Sequence, residues 1–381
     1  MAVYIDVHAI QPLPYANVNR DAEGSPKHMI YGGVNRTRVS SQSWKRAIRH
    51  NVEDTLGERA ARSRLLPTKI QQRLEAEGWP GDLARFAASQ VVGGAEKALK
   101  IDPKSGSTSV LLYLPTTAVA DLAALCQEHR TQLEAEAGKK KPEPVLPKDR
   151  VTALIQGRTA TINLFGRMLA EIPGSNVDGA VQIAHAFTTH ESDSQRDFFT
   201  AVDDWLDPAE DSGAGHLSTG EFSAGVFYRY ATVNLDDLLT NLDQDHEQAQ
   251  ELVAMFLEHF ALSIPGAKKN STAPHTLPDL IYIAVRDGRP VSAAAAFEKP
   301  VRHNLLEGGI SGRSIDVLQR YLARIDAFLG TETKAFSGHA ILTDLEKPLE
   351  HLGDAYLRQR ELAADAAHAA VEASRRRAGG A

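Results

Sequence analysis

Apolar residues at the start of the chain alternate, with Val3, Ile5 and Val7 separated by Tyr4, Asp6 and His8. This is the period of a strand with one buried face and predicts a strand over 2–10. The alternation then stops. Residues 11–37 contain Pro12, Pro14, Asn17, Asn19, Gly24, Pro26, Gly32 and Gly33 and read as a long loop. A loop of that length in a compact fold is usually functional or unordered. Periodicity returns near Ser40, now at helical spacing. Trp44, Ala47, Ile48 and Val52 form an apolar stripe, while Gln42, Lys45, Arg46 and Arg49 lie on the opposite side. The pattern predicts a helix over 41–54, with Ser40 or Ser41 as its N-cap.

The next block has a different texture. Leu65–Arg85 and Ala118–Ala137 are helix-rich, a short apolar run at 110–114 reads as a small strand, and residues 139–144 form a charged, proline-containing loop. Strand signals return afterwards. Residues 181–187 alternate strictly, 225–234 is β-branched and aromatic, 235–263 reads as a helix, and 280–285 reads as a further strand. Leaving out the block 55–180, the order is strand 2–10, helix 41–54, strand 181–188, strand 224–234, helix 236–263, strand 279–286. That is the β-α-β-β-α-β order of a ferredoxin-like, RRM-like α+β fold. Its parts would be 1–54, 181–189 and 224–310, with 55–180 as a helical insertion. Residues 190–223 are rich in Asp and too long for a hairpin turn, so they read as a protruding β-ribbon or loop. Helical patterns at 311–329 and 349–377 predict C-terminal helices over 311–381.

Composition changes this picture in a few places. The 381 residues point to two or three domains. No apolar run approaches the roughly 20 residues of a membrane span. A single cysteine, Cys126, excludes an internal disulfide framework, argues against a zinc–thiolate site and fits a reducing cytoplasm. The net charge of −7 carries no general signal for nucleic acid. Its distribution does, because residues 20–50 hold seven Lys and Arg against Asp21 and Glu23, a local balance of +5. Taken alone, the 41–54 helix reads equally well as a solvated amphipathic helix or as a phosphate grip. The basic approach to it favours the grip. Gly32 and Gly33 would allow close backbone approach, and Arg36 and Arg38 would share one side of an extended run.

Other candidate chemistry is weaker. His185, His190, Glu191 and Asp193 have metal-ligand chemistry, but His185 alternates with Ile183 and Phe187 and reads as a core histidine. The carboxylates between 203 and 211 read as a solvated loop. Gly93–Gly94 and Gly308–Gly309 lack the strand, lysine and helix of a phosphate loop. Gly166-Arg167-Met168 and the Lys268–Lys269 pair after the second helix could reach backbone phosphates, with Met168 placed to wedge against a base. Lys139, Lys140 and Lys141 are either a solvated loop tip or a second nucleic-acid contact.

Several runs resemble the CasC (Cse4) family, the backbone subunit of type I-E CRISPR Cascade complexes. They are Asn19-Arg20-Asp21, Ile30-Tyr31-Gly32-Gly33, Arg38 through Ala47, Val177 through Ala180, Ala184 through His190, Phe199 through Asp204, Glu221 through Tyr230, and Val285 onward to Ala296-Phe297-Glu298-Lys299. The resemblance covers nearly the whole chain. It implies a hand with a ferredoxin-like palm, a helical finger over 55–180 and a thumb over 190–223, whose copies stack along a crRNA. On that resemblance Arg20, Lys27, Arg38, Ser40, Gln42, Lys45, Arg46, Arg49, Arg167, Lys268 and Lys269 bind the RNA. Met168 lies beside a displaced base, Leu217 forms the thumb tip that displaces it, and Lys139–Lys141 approach target DNA. The implied partners are crRNA, target DNA through the guide, further copies of the chain, and the crRNA endonuclease, small, large and cap subunits of Cascade. No cofactor, metal, membrane or catalytic activity is expected.

Two other readings remain at this level. One is a ferredoxin-like endoribonuclease that processes crRNA precursor, with His8, His28 and His50 near the basic segment. The other is an oligomeric scaffold that binds no RNA.

Overall fold

A computed structural model of the chain describes residues 2–95, 99–102, 104–200, 217–303, 309–345 and 349–379. The chain divides into two compact units, Met1–Val52 with Val181–Ala381, and Glu53–Ala180.

The first unit begins with β1 (Ala2–Ala16), β2 (His28–Tyr31), β3 (Val34–Val39) and α1 (Ser41–Leu56). The expected loop over 11–37 is therefore about half strand, with residues 17–27 and the turn at Gly32–Gly33 outside the strands. β1 continues past Ile10 despite Pro12 and Pro14. Both prolines share Ile10's side of the strand, and β1's partner on that side ends its pairing at Ile10, so no ladder bond is lost for want of their N–H groups. β2 and β3 form a hairpin in which Tyr31 pairs with Val34. Its two turn residues, Gly32 and Gly33, have φ of +65° and +79°, the backbone a type I′ turn requires. A Cβ on Gly32 would lie 1.6 Å from the Glu298 carbonyl oxygen, so only glycine fits.

The second unit holds β4 (Ala60–Ser63), α2 (Leu66–Ala76), α3 (Gly81–Ala95), β5 (Leu112–Pro115), α4 (Ala118–Glu128), α5 (Arg130–Ala137), α6 (Lys148–Gln156) and α7 (Ala160–Phe165). β4 and β5 pair antiparallel. Ile70, Leu74, Val91, Leu122, Leu125, Val151 and Ile155 make a core of the unit's own. The expected short strand at 110–114 appears as β5. Its partner β4 was hidden in sequence, because Ala60-Ala61-Arg62-Ser63 carries no strand periodicity.

The chain then completes the first unit with β6 (Val181–Ile183), β7 (Ala186–Thr188), β8 (Gln195–Thr200), β9 (Leu217–Asn234), α8 (Leu235–Asn241), α9 (His246–Leu262), α10 (Lys269–Thr272), β10 (Leu280–Gly288), α11 (Ile310–Leu329), β11 (Lys334–Ile341), β12 (Asp354–Tyr356) and α12 (Gln359–Gly379). The sheet runs β12-β11-β10-β1-β9-β7-β3-β2, with β6 and β8 also pairing along β9. Its centre, β10-β1-β9-β7, is antiparallel throughout.

Three expectations change here. The strand over 181–188 is two strands, because the register against β9 shifts by one residue between Ile183–Ala231 and Phe187–Tyr228. One extra residue on the β6–β7 side makes a bulge. The helix over 236–263 is broken by Asp243 and Gln244, which have positive φ. Asn234 and Asp245 cap the two pieces by accepting N–H bonds from their first turns. The C-terminal region contains two strands as well as helices. β11 pairs with the otherwise open edge of β10 and β12 adds to β11 in parallel.

Alternation along β9 and β7 separates two cores. Phe227 and Ala186 pack with Trp44 of α1, Leu13 and Val39 on one face. Tyr228 and Phe187 pack with Ile315, Leu318 and Leu322 of α11 on the other. Among the described residues no helix is long and apolar enough to cross a membrane.

Candidate nucleic-acid interface

The N-terminus of α1 is assembled from segments far apart in sequence. Asn19 Oδ1 accepts the Ser40 N–H at 2.8 Å, and the Asn19 carbonyl accepts the Lys27 N–H at 3.3 Å. The Lys27 carbonyl in turn accepts the Arg38 N–H at 2.8 Å, and Arg38 Nε donates to the His28 carbonyl at 3.3 Å. The segment that carries Arg20 is closed by a bridge from Arg20 to Pro26, and Asp21 accepts N–H bonds from Glu23 and Ser25. Ser40 Oγ accepts the Ser43 N–H at 3.4 Å, so Ser40 is the N-cap.

His185 completes this end. The Ser41 N–H donates to its Nδ1 at 2.9 Å. Nδ1 must therefore carry a lone pair, which places the ring proton on Nε2. Burial, then Arg38 and Lys27 nearby, hold the imidazole below its ordinary range, so it is neutral. The bulge between β6 and β7 gives the reason. Strict alternation would place His185 with Ile183 and Phe187 in the core, and the extra residue turns it out to α1. The expectation of a core histidine is corrected.

From that end, Gln42, Lys45, Arg46 and Arg49 climb one side of α1 at i, i+3, i+4 and i+7. Gln42 and Arg46 are exposed, Lys45 and Arg49 half-buried, and Arg49 Nη2 lies 3.4 Å from His50 Nε2. Lys268 and Lys269 are exposed on the segment leading into α10. Asn51 donates to Ser263 Oγ at 2.8 Å, and Ile264 packs against the Trp44 core, so that segment leaves α9 beside α1. The surface so formed is cationic, offers N–H and hydroxyl groups at a helix N-terminus, and suits a backbone of repeating negative charge.

The opposite side of α1 is held by a residue the sequence did not single out. Arg229 of β9 is fully buried beneath Trp44 and donates to Gln11 Oε1 and to the Phe260 carbonyl. Burial pushes its guanidinium down to about 9. The Tyr-Arg-Tyr setting of Arg229 was the available signal, since strict alternation there points Arg229 to the face opposite both tyrosines.

Two arginines of the sequence reading are buried. Arg36 and Arg38 lie two apart on the extended strand β3, as expected, but Arg36 does not face solvent. It is buried and donates to the carbonyls of Tyr31, Thr188 and Phe297 at 3.2, 2.8 and 2.9 Å, tying the β2–β3 hairpin to the rest of its unit. Arg167, in the second unit, is only 4% exposed. Its guanidinium donates to the carbonyls of Ser175, Gly157 and Gln156 at 2.8, 2.8 and 2.9 Å. With the Arg167–Val177 bridge this clamps the loop between them. Met168, beside it, is 87% exposed. A neighbouring cation is thus spent on presenting an apolar tip.

The other predicted positions stand as follows. Lys139, Lys140 and Lys141 are exposed in the second unit, and Lys139 is paired with Glu136. Leu217 opens β9 opposite Thr200, and its side chain lies outside the described residues, as do the carboxylates from Asp203 to Asp211. His190 uses both ring nitrogens, accepting the Val226 N–H at 3.1 Å and donating to the Glu191 carbonyl at 2.7 Å. Among the described residues no three His, Cys, Asp or Glu side chains group to hold a metal ion.

Residues 5–366 match the model of the CT1975-like protein family, Cas_CT1975. Two solved structures are similar over almost all of both chains. A chain of a "CRISPR RNA-guided surveillance complex, pre-nicking" is 46% identical with a TM-score of 0.89, over 96% of this chain and 100% of that one. A chain of a "CRISPR RNA-guided surveillance complex" is 41% identical with a TM-score of 0.79, over 96% and 99%. Comparison with curated proteins gives no match. A match of this extent, on a chain whose basic segment is folded into one surface around α1, identifies the protein as a CasC-like member of the CT1975-like family.

Proposed function

We infer that the chain is a non-catalytic filament subunit of a type I-E Cascade complex, acting in the cytoplasm, and that it grips crRNA by its backbone along α1. The observation that carries this is the α1 surface: Arg20, Lys27 and Arg38 around a helix start capped by Ser40 and neutral His185, continued by Gln42, Lys45, Arg46 and Arg49. These groups recognise phosphate and sugar. A guide scaffold must hold any sequence, so contacts to the backbone that leave base edges free are what it requires.

The order β10-β1-β9-β7, with α1 and α9 in the crossovers, supports the ferredoxin-like palm. The unit Glu53–Ala180 corresponds to the finger and the β8–β9 ribbon to the thumb. Met168, and Leu217 at the thumb, would displace a guide base, and Lys139–Lys141 would approach target DNA paired to the guide. The remaining partners are further copies of the chain and the crRNA endonuclease, small, large and cap subunits.

Of the three histidines of the endoribonuclease reading, His28 and His50 are half-buried and the third is shielded. His8 is fully buried, with Nδ1 2.9 Å from the Tyr228 hydroxyl, and cannot meet RNA. The test is the double variant Lys45→Ala, Arg49→Ala assembled with guide RNAs of unrelated sequence. Affinity should fall about equally for all of them, and the salt slope should drop by about 0.7 per lost phosphate contact. Unchanged affinity and slope would refute the α1 assignment, and site-specific cleavage of repeat RNA by the wild type would refute the non-catalytic one.

A further inference from the structure

The α11 side of the sheet carries a second cationic surface that the α1 reading does not use. A groove of about 900 Å³ lies between α11 and the segment Lys299–Arg302. Arg313, Arg320 and Arg324 line it from the helix at i, i+7 and i+11, which puts them on one ridge, about 10 Å and then 6 Å apart along the axis. Lys299 and Arg302 line the facing wall, and among the described lining residues the acids are Asp316 and Asp344, a balance of five against two, or +3. Arg313 Nη1 donates to the Arg302 carbonyl at 2.7 Å, which fixes the two walls together. Arg320 pairs with Asp316 at 2.7 Å, but both are well exposed, so the pair is readily exchanged for a ligand anion. Tyr321 supplies an aromatic ring in the same lining.

The place of this groove matters. Phe227 faces Trp44 of α1, and its neighbour Tyr228 faces Ile315 and Leu318 of α11. A strand lying in the α11 groove is therefore on the opposite sheet face from one lying along α1. We propose that the α11 groove binds the phosphate backbone of a single-stranded nucleic acid segment other than the one held by α1. Guanidinium groups about 10 Å and then 6 Å apart along one helix can meet successive charges of a ligand with one negative charge per nucleotide, and their planar forks suit phosphate oxygens. A tyrosine in the lining offers a stacking face that tolerates any base. The inference rests on the preceding reading for its setting in a nucleic-acid complex.

The test uses the full chain assembled with guide RNA. Fluorescent oligodeoxythymidylate and oligouridylate, neither complementary to the guide, are titrated across a salt series. The wild type should bind at least one of them, and which one it prefers identifies the strand as DNA or RNA. Arg320→Ala with Arg324→Ala should weaken that binding about tenfold and lower its salt slope by about 0.7 per contact. Tyr321→Leu should weaken it with the slope kept. Guide loading, read separately, should be unchanged in these variants and weakened in Lys45→Ala, Arg49→Ala, so the two surfaces fail independently. Absence of wild-type binding, or variants that bind as tightly as wild type, would overturn the proposal. So would a groove that takes polyglutamate and neither oligonucleotide, which would mark it as a seat for an acidic protein segment.

Discussion

The guanidinium carbon of Arg229 lies 3.7 Å from the centroid of the Trp44 ring, with the Phe260 ring 4.4 Å away on the same cation. No carboxylate pairs with Arg229 among the described residues. Aromatic faces, an amide oxygen and a carbonyl stand in for the missing counter-charge. Helix α1 is thus seated on a buried cation.

That seating predicts a measurable coupling. Trp44→Ala should cost about 3–5 kcal/mol in urea unfolding, as expected for a buried aromatic. Arg229→Met should cost much less in the Trp44→Ala background than in the wild type, with an interaction energy of about 2 kcal/mol. Additive effects would show that the ring does not stabilise the cation.

Arg167 and Met168 should separate cleanly. Arg167→Met leaves the carbonyls of Ser175, Gly157 and Gln156 without their donor, at a cost of about 3 kcal/mol. Arg167→Lys should not restore stability, because one ammonium cannot reproduce the planar fork. Met168→Ala should change stability by less than about 0.5 kcal/mol, as for an exposed side chain. Thermal melts of the three variants decide it. Equal melting temperatures for Arg167→Met and wild type would mean the clamp contributes nothing.

Beneath α11, two buried groups predict opposed pH dependences. Burial and then the nearby Arg286 push His8 down to about 3, against an ordinary value of 6.5. The unfolded chain therefore binds the extra proton, and His8 costs stability progressively as pH falls from 6.5 to 3. Burial pushes Asp6 up to about 6 from 3.8, against the hydrogen bonds from Tyr230 and the Val291 N–H. There the folded chain binds the extra proton, so stability is gained as pH falls from 6 to 3.8. The two nearly cancel in wild type between pH 6 and 4. His8→Asn should become more stable on acidification over that range, and Asp6→Asn less stable. Urea midpoints at pH 4, 5 and 6 check the signs, and parallel profiles for both variants would refute the assignment.

Much of this protein was legible in its sequence. Element type and order came through where periodicity was long, as in α1, β9, β10 and α11. The family came through on the runs around Arg38–Ala47 and Glu221–Tyr230, and the cationic face of α1 from four polar positions at helical spacing. These properties are local, since spacing of three to four residues decides which side chains share a face. What stayed hidden depends on partners distant in the chain. β1 runs through Pro12 and Pro14 only because its neighbour ends at Ile10. His185 leaves the core only because a register shift against β9 turns it toward Ser41, 144 positions away. Arg36, Arg167 and Arg229 resemble surface cations in sequence, yet each is buried against carbonyls or rings supplied from elsewhere. Sequence determined the elements with long periodicity and the basic side of α1. The tertiary structure decided which arginines are free to meet a phosphate, because burial and carbonyl acceptors, not residue type, determine what a guanidinium can bind.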